Sequence, residues 1–168
     1  QAQSPTRCDF ERAHAAAVLL YHVASDQVAL VEQVRMGALE LPGKSPWLLE
    51  PVAGMIEPGD TPEQTAHKEA QEEAGCTVTE LIPISTYVVS PGISTELTMV
   101  YCGLIDHPPL DKSNHGLQAE GEDIRLHVLS STAAFDLLKP DNPMSAAAFI
   151  SLQWLQLNRA RLRKLPQD

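Results

Sequence analysis

Glu69, Glu72 and Glu73 are the residues of this 168-residue chain most able to do chemistry together. Spaced three and four apart, they would share one face of a helix. Like charges at that spacing destabilise a helix by roughly 0.2–0.5 kcal/mol per pair. Near the C-terminal end of a helix they also oppose its dipole. Lys68 is the one base close by. A hard divalent cation would turn this repulsion into binding, because Mg²⁺ prefers carboxylate oxygens and keeps water on its remaining positions. The plain alternative is an acidic face turned to solvent.

The helix that would carry these acids is the best signalled in the chain. Thr61 is a good N-cap, Pro62 suits the first helical position, and Gln64 falls where a capping box wants Glu or Gln. Gly75 is placed to end it, which predicts a helix over residues 62–74. Apolar runs over 14–23 and 27–34 read as strands joined by a turn at Ala24-Ser25-Asp26. A shorter apolar piece, 47–52, leads into Gly54. Residues 86–89, 98–105 and 124–129 read as further strands, and 131–138 and 145–162 as helices. The polar stretch 107–123 is a loop of the length that goes with function or mobility. Strands and helices mixed without regular alternation predict an α/β fold, a mixed sheet covered by helices.

From Gly54 to Cys76 the chain reads G-M-I-E-P-G-D-T-P-E-Q-T-A-H-K-E-A-Q-E-E-A-G-C. This resembles the signature box of the Nudix hydrolases: a Gly, five residues, a Glu, seven residues, then Arg-Glu-aliphatic-any-Glu-Glu-any-Gly-aliphatic. Gly54, Glu69, Ala70, Glu72, Glu73 and Gly75 stand at matching positions, and Cys76 is an apolar ending. Asp60 stands where the family has Glu, and Lys68 where it has Arg. Lys keeps the sign of the charge but lacks the two-pronged hydrogen bonding of Arg. The resemblance implies a Nudix α/β/α sandwich with a loop-helix-loop metal site and a long C-terminal helix. It implies metal binding by Glu69 and Glu73, with Glu72 assisting and the carbonyl of Ala53 adding a ligand. The cofactor would be Mg²⁺, two or three ions, or Mn²⁺ in its place. The reaction would be attack of water on a nucleoside diphosphate linked to another group.

Outside the box the chain is similar to the bacterial ADP-ribose pyrophosphatases of that family. That group has a proline within S-P-G-x-x-x-E; Ser90-Pro91-Gly92 and Glu96 fit it, with Pro91 fifteen residues past Cys76. It also has an acidic E-x-E-D before the last strand, here Glu120-Gly121-Glu122-Asp123. The likeness implies Glu120 as general base and Glu122 as a further metal ligand, on a loop able to close over substrate. It implies substrate contacts from Arg7, Arg35, Met55, Ser90, Gly92 and Glu96, the last to ribose hydroxyls. Arg12 rivals Arg7, and a surface arginine or turn carboxylate is the plain alternative for each. The resembling enzymes begin with extra strands that exchange between subunits, whereas only residues 1–13 precede the first expected strand here. That part is either outside the sequence given or replaced by another way of holding adenine.

Composition bounds the rest. The length suits a single domain over 1–168, and 43% hydrophobic with 20% charged residues is a globular balance. A net charge of −10 disfavours a nucleic-acid platform. No apolar run has the roughly 20 residues needed to span a membrane. Three cysteines, odd in number and in no Cys-x-x-Cys pair, favour the reducing cytoplasm over a disulfide framework. His14, His22 and His127 read as packing residues, and His67 is assigned no role. The expected activity is Mg²⁺-dependent cleavage of ADP-ribose to AMP and ribose 5-phosphate by a cytoplasmic homodimer. Another ADP-sugar or nucleotide sugar as substrate, or a nucleotide-binding domain with weak turnover, are the alternatives.

Overall fold

The apolar run after His14 becomes the central strand of the sheet, β1 (Ala15–His22). The computed structural model describes residues 13–41, 45–108, 114–115 and 123–164. β1 is buried on both faces, so its alternate side chains serve two cores. Ala16, Val18 and Leu20 pack with Ala66, Ala70 and Ala74 of helix α1 (Pro62–Ala74). Leu19 and Tyr21 pack with Leu152, Leu155 and Leu162 of helix α3 (Ala146–Leu162). Each fully buried leucine here contributes about 1.5–3 kcal/mol relative to exposure. A sheet with a helix layer on each face is the α/β/α sandwich that the resemblance implies.

The remaining strands are β2 (Gln27–Val34), β3 (Trp47–Glu50), β4 (Val52–Met55), β5 (Val78–Val88), β6 (Leu97–Ile105), β7 (Asn114–His115) and β8 (Ile124–Ser130). They run in the order β5-β6-β1-β2-β8-β7, with β3 added to β2 and β4 to β1. The β1–β6 pair is parallel and the others antiparallel, so the sheet is mixed. β1 and β2 pair only near their hairpin, at Leu20–His22 with Gln27–Ala29. Beyond that they part, and β4 and β3 take up their edges. Pro51, which has no N–H, stands where the chain changes partner. The single apolar piece expected over 47–52 is therefore two strands.

The helix bounds 62–74 agree with the structure, because its signals are local. The Thr61 hydroxyl accepts from the Gln64 amide at 3.2 Å, and Gln64 Oε1 accepts from the Thr61 amide at 2.7 Å. Gly75 closes the helix at φ 61°, a conformation that costs glycine little. Two expectations need correction. β5 begins at Val78, not 86, since polar residues and Pro83 mask its pattern; it is an edge strand and accommodates Pro83 beside a bulge. The helix expected over 131–138 is short, α2 (Ser131–Phe135), and ends in turns. His22 and His127 lie in β1 and β8, while His14 precedes β1 and accepts from the Leu97 amide at 3.2 Å.

The β1–β2 turn is tied to α3 by Asp26, which sits at φ 56°. Its carboxylate accepts from Tyr21 Oη and from Arg159 Nε, both at 2.8 Å, and pairs with Arg163 at 3.3 Å. The Arg159 hydrogen bond, ahead of the one from Tyr21, outweighs burial and holds this carboxyl at about 2 instead of 3.8. A depressed folded-state value stabilises above the unfolded value and loses that stabilisation as pH falls through the folded one. The contribution is about 2 kcal/mol, present above pH 4 and lost towards pH 2. Asp26→Asn, which tolerates the left-handed backbone, should lower Tm at pH 6 and flatten its fall between pH 4 and 2. An unchanged fall would show that other groups set the acid limit.

Candidate active site

Small residues bring α1 down onto the sheet. Ala66, Ala70 and Ala74 recur every four residues on its buried face, so the helix approaches β4 closely. Glu69 and Glu73 lie at the contact. Glu73 is only 3% exposed, and its Oε2 accepts from the Ala53 amide at 3.0 Å. Glu69 lies over Gly54 so closely that a Cβ there would fall 1.9 Å from Glu69 Oε1. Gly54 is not among the described glycines at positive φ, so close approach, not backbone freedom, is what requires it. Glu72 is half-buried on the same helix.

Lys68, at the position where the signature box has Arg, reaches away from these acids. Its Nζ donates to Glu57 Oε1 at 2.9 Å. This hydrogen bond chiefly, with the more distant charges of Glu72 and Glu69, raises the ammonium above its ordinary value. Asp60 is exposed, and its amide donates to the Glu57 carbonyl at 3.0 Å.

The backbone of β4 is also the wall of a cleft of about 370 Å³. Ala53, Gly54 and Met55 line it together with Arg35, Glu50, Tyr87, Glu96, Thr98 and the start of α3 at Ser145 and Ala147. Arg35, Met55, Ala53 and Glu96 are thus brought to one cavity. Ser90 and Gly92 do not line it. Their turn is closed by the Ile93 and Ser94 amides on the Ser90 carbonyl, and the Val89 amide holds the Glu96 carbonyl at 3.0 Å. This turn leads the chain back to Glu96. Arg7, Glu120 and Glu122 lie outside the described residues.

Glu50, Tyr87 and Thr98 are cleft residues that sequence reasoning missed. Glu50 is 8% exposed and accepts from Arg35 Nε at 2.5 Å. Burial first, then the charges of Glu96 and Glu50, pushes the Tyr87 phenol up, against hydrogen bonds from Thr98 and the Ala147 amide. It therefore remains protonated at neutral pH. The one signal in the sequence was an acid closing the apolar strand Trp-Leu-Leu-Glu.

Whether this arrangement could hold a metal depends on its donors. Among the described residues, no three acidic, imidazole or thiol side chains form a ready metal cluster. Yet the donors present are all hard oxygens, and Gly54 provides a cradle in which the Glu69 carboxylate lies against β4. With the near-buried Glu73 held at the neighbouring Ala53 amide, the set fits Mg²⁺ or Mn²⁺ better than a softer ion. Cys76 and Cys102 offer no thiolate alternative, since burial raises them to about 11 and about 12.

Comparison with known proteins agrees with this geometry. The chain matches the NUDIX domain over residues 12–167. It is 42% identical over 154 residues to an ADP-ribose pyrophosphatase of Escherichia coli (strain K12), covering 92% of this chain and 73% of that one. It is 42% identical over 152 residues to the ADP-ribose pyrophosphatase of Haemophilus influenzae, covering 89% and 70%. A GDP-mannose pyrophosphatase of Enterobacter sp. (strain 638) is 31% identical over 149 residues, covering 89% of this chain and 76% of its own.

Proposed function

The chain belongs to the Nudix family, and from that premise we propose that it hydrolyses the diphosphate of ADP-ribose to AMP and ribose 5-phosphate. The observation that carries the reading is the placement of the β4 backbone. It meets Glu69 and Glu73, and its residues Ala53, Gly54 and Met55 also line a cleft with Arg35 and Glu96. A diphosphate lying along β4 would have carboxylates for its counter-ions and a guanidinium for its own oxygens. The 42% identity to ADP-ribose pyrophosphatases supports the choice of sugar nucleotide.

In this reading Glu69, Glu73 and the Ala53 carbonyl would hold Mg²⁺ or Mn²⁺, two or three ions, with Glu72 assisting and Glu122 as a further ligand. A bound divalent ion neutralises the diphosphate and lowers the pKa of the attacking water. Arg35 and Arg7 orient the phosphates, Met55 lines the cleft and Glu96 takes the ribose hydroxyls. The Ser90–Gly92 turn sets the approach of Glu96. Glu120 accepts the proton of the attacking water. Glu120→Gln should lower kcat by about 10² with little change in KM; full activity would place the base elsewhere. Lys68→Arg should keep or raise the rate, because a forked donor can reach both Glu57 and the acids of α1. An approximately tenfold loss would instead make the Lys68–Glu57 pair itself a fitted element.

Nucleotide release from ADP-ribose, other ADP-sugars and GDP-mannose, with Mg²⁺ and with chelator, tests the proposal. ADP-ribose should have the highest kcat/KM, and chelation should stop turnover without unfolding the protein. A preference for GDP-mannose, the second reading favoured by the 31% identical relative, would overturn the substrate assignment. A cytoplasmic homodimer is part of the same proposal. The exposed apolar side chains of Met36, Leu39 and Trp47 support an interface, and sedimentation as a monomer would remove it. No helix of the described residues is long and apolar enough to cross a membrane.

A further inference from the structure

We propose that Glu50 is a positioning residue that orients the Arg35 guanidinium towards the diphosphate in the cleft. The inference rests on the pyrophosphatase reading and adds a residue to it. Glu50 closes β3 and Arg35 follows β2, two strands paired at Val31 with Glu50 and at Val34 with Trp47. The Arg35 amide donates to the Pro46 carbonyl at 2.9 Å, so the backbone of Arg35 is fixed across the same strand pair. Its side chain then meets Glu50 through Nε at 2.5 Å.

The choice of nitrogen matters. Bonding at Nε leaves the four N–H groups of the two terminal nitrogens to be aimed as a unit, and a planar fork matches phosphate oxygens. The Glu50 side chain is 10% exposed and that of Arg35 42%, so the carboxylate is the sunken partner and the guanidinium reaches the cleft. Stability alone gives little reason for this arrangement. An ion pair with one partner open to solvent contributes little, because solvent screens the attraction and ordering two long side chains offsets it. Both residues line the cleft, where a fixed cation is useful and a wandering one is not. Glu50 and Glu96 both bring negative charge to the Tyr87 phenol. Glu50 therefore contributes local negative charge in a cleft meant for an anion, a cost that the neutralising Arg35 offsets.

The test is a double-mutant cycle of Glu50→Gln and Arg35→Ala on the intact protein. Steady-state kinetics use whichever sugar nucleotide the wild type turns over best. Glu50→Gln keeps the shape and one acceptor but removes the charge. It should raise KM about tenfold while kcat changes less than about threefold, the pattern of an interaction made equally in ground and transition states. Arg35→Ala should raise KM at least as much. In the Arg35→Ala background, Glu50→Gln should raise KM no further, because the guanidinium it orients is gone. Glu50→Asp, which keeps the charge on a shorter arm, gives the same comparison if the amide variant does not fold. Additive effects, or a loss confined to Tm with KM unchanged, would overturn the proposal. Preference for a sugar nucleotide other than ADP-ribose would sink the substrate assignment and leave the cycle able to decide about Glu50. A wild type that neither binds nor cleaves any sugar nucleotide would overturn both.

Discussion

Glu73→Gln is expected to cut kcat by about a thousandfold or more while leaving the fold intact. The residue is 3% exposed and tied to β4 through the Ala53 amide. Glutamine has the same shape and can present its carbonyl oxygen to that amide, so the local hydrogen bond survives. What disappears is the negative charge, and with it much of the site's hold on a divalent ion. Such an ion supplies several kcal/mol of transition-state stabilisation, and about 4 kcal/mol corresponds to a thousandfold.

The sign of the stability change makes this prediction sharper. Glu69 and Glu73 are four apart on α1, where like charges repel by roughly 0.2–0.5 kcal/mol. In chelator, therefore, Tm of Glu73→Gln should equal or slightly exceed that of the wild type. In Mg²⁺ the wild type should gain Tm through binding and the variant should gain much less. Full turnover of the variant at saturating Mg²⁺ would remove Glu73 from the metal site. A large fall of Tm in chelator would make it a structural residue.

The helix carrying these acids was legible to the residue because each boundary signal acts over three or four positions. Thr61, Pro62, Gln64 and Gly75 need nothing from the rest of the chain to do their work. β2 was legible too, since its burial follows directly from its apolar run. The first half of β5 was hidden because an edge strand can be interrupted by polar residues and a proline and still be held by pairing with β6. β7, two residues inside the expected long loop, has no signal of its own and exists only by pairing with β8. In the site, the acids stood out by spacing, but Glu50 did not. Its meaning lies in Arg35, fifteen residues earlier, and in a strand pairing that no local pattern records. Likewise, no local pattern shows why the signature box needs a glycine at Gly54; the reason is Glu69 lying on it.

That contact makes Gly54→Ala the second severe substitution, with an expected loss of kcat of about a thousandfold. The added Cβ would sit 1.9 Å from Oε1, 2.2 Å from Cδ and 2.6 Å from Cγ of Glu69. No pair of atoms tolerates such separations, so one side must move. Gly54 is held in the β1–β4 pairing opposite Ala16, within a strand anchored on both sides of it. Glu69 is a side chain with three rotatable bonds, so Glu69 yields. The fold should therefore survive, with Tm lowered by only a few degrees, as expected for about 1 kcal/mol in a domain of this size. The carboxylate, however, is turned away from β4 and from its neighbour Glu73. Comparison with Glu69→Gln identifies the cause. If the methyl group acts by displacing Glu69, the double variant should be no worse than the more damaged single one. Multiplicative losses would mean that the methyl group also obstructs the cleft that Gly54 lines, and normal kcat would mean that Glu69 is not a ligand at all.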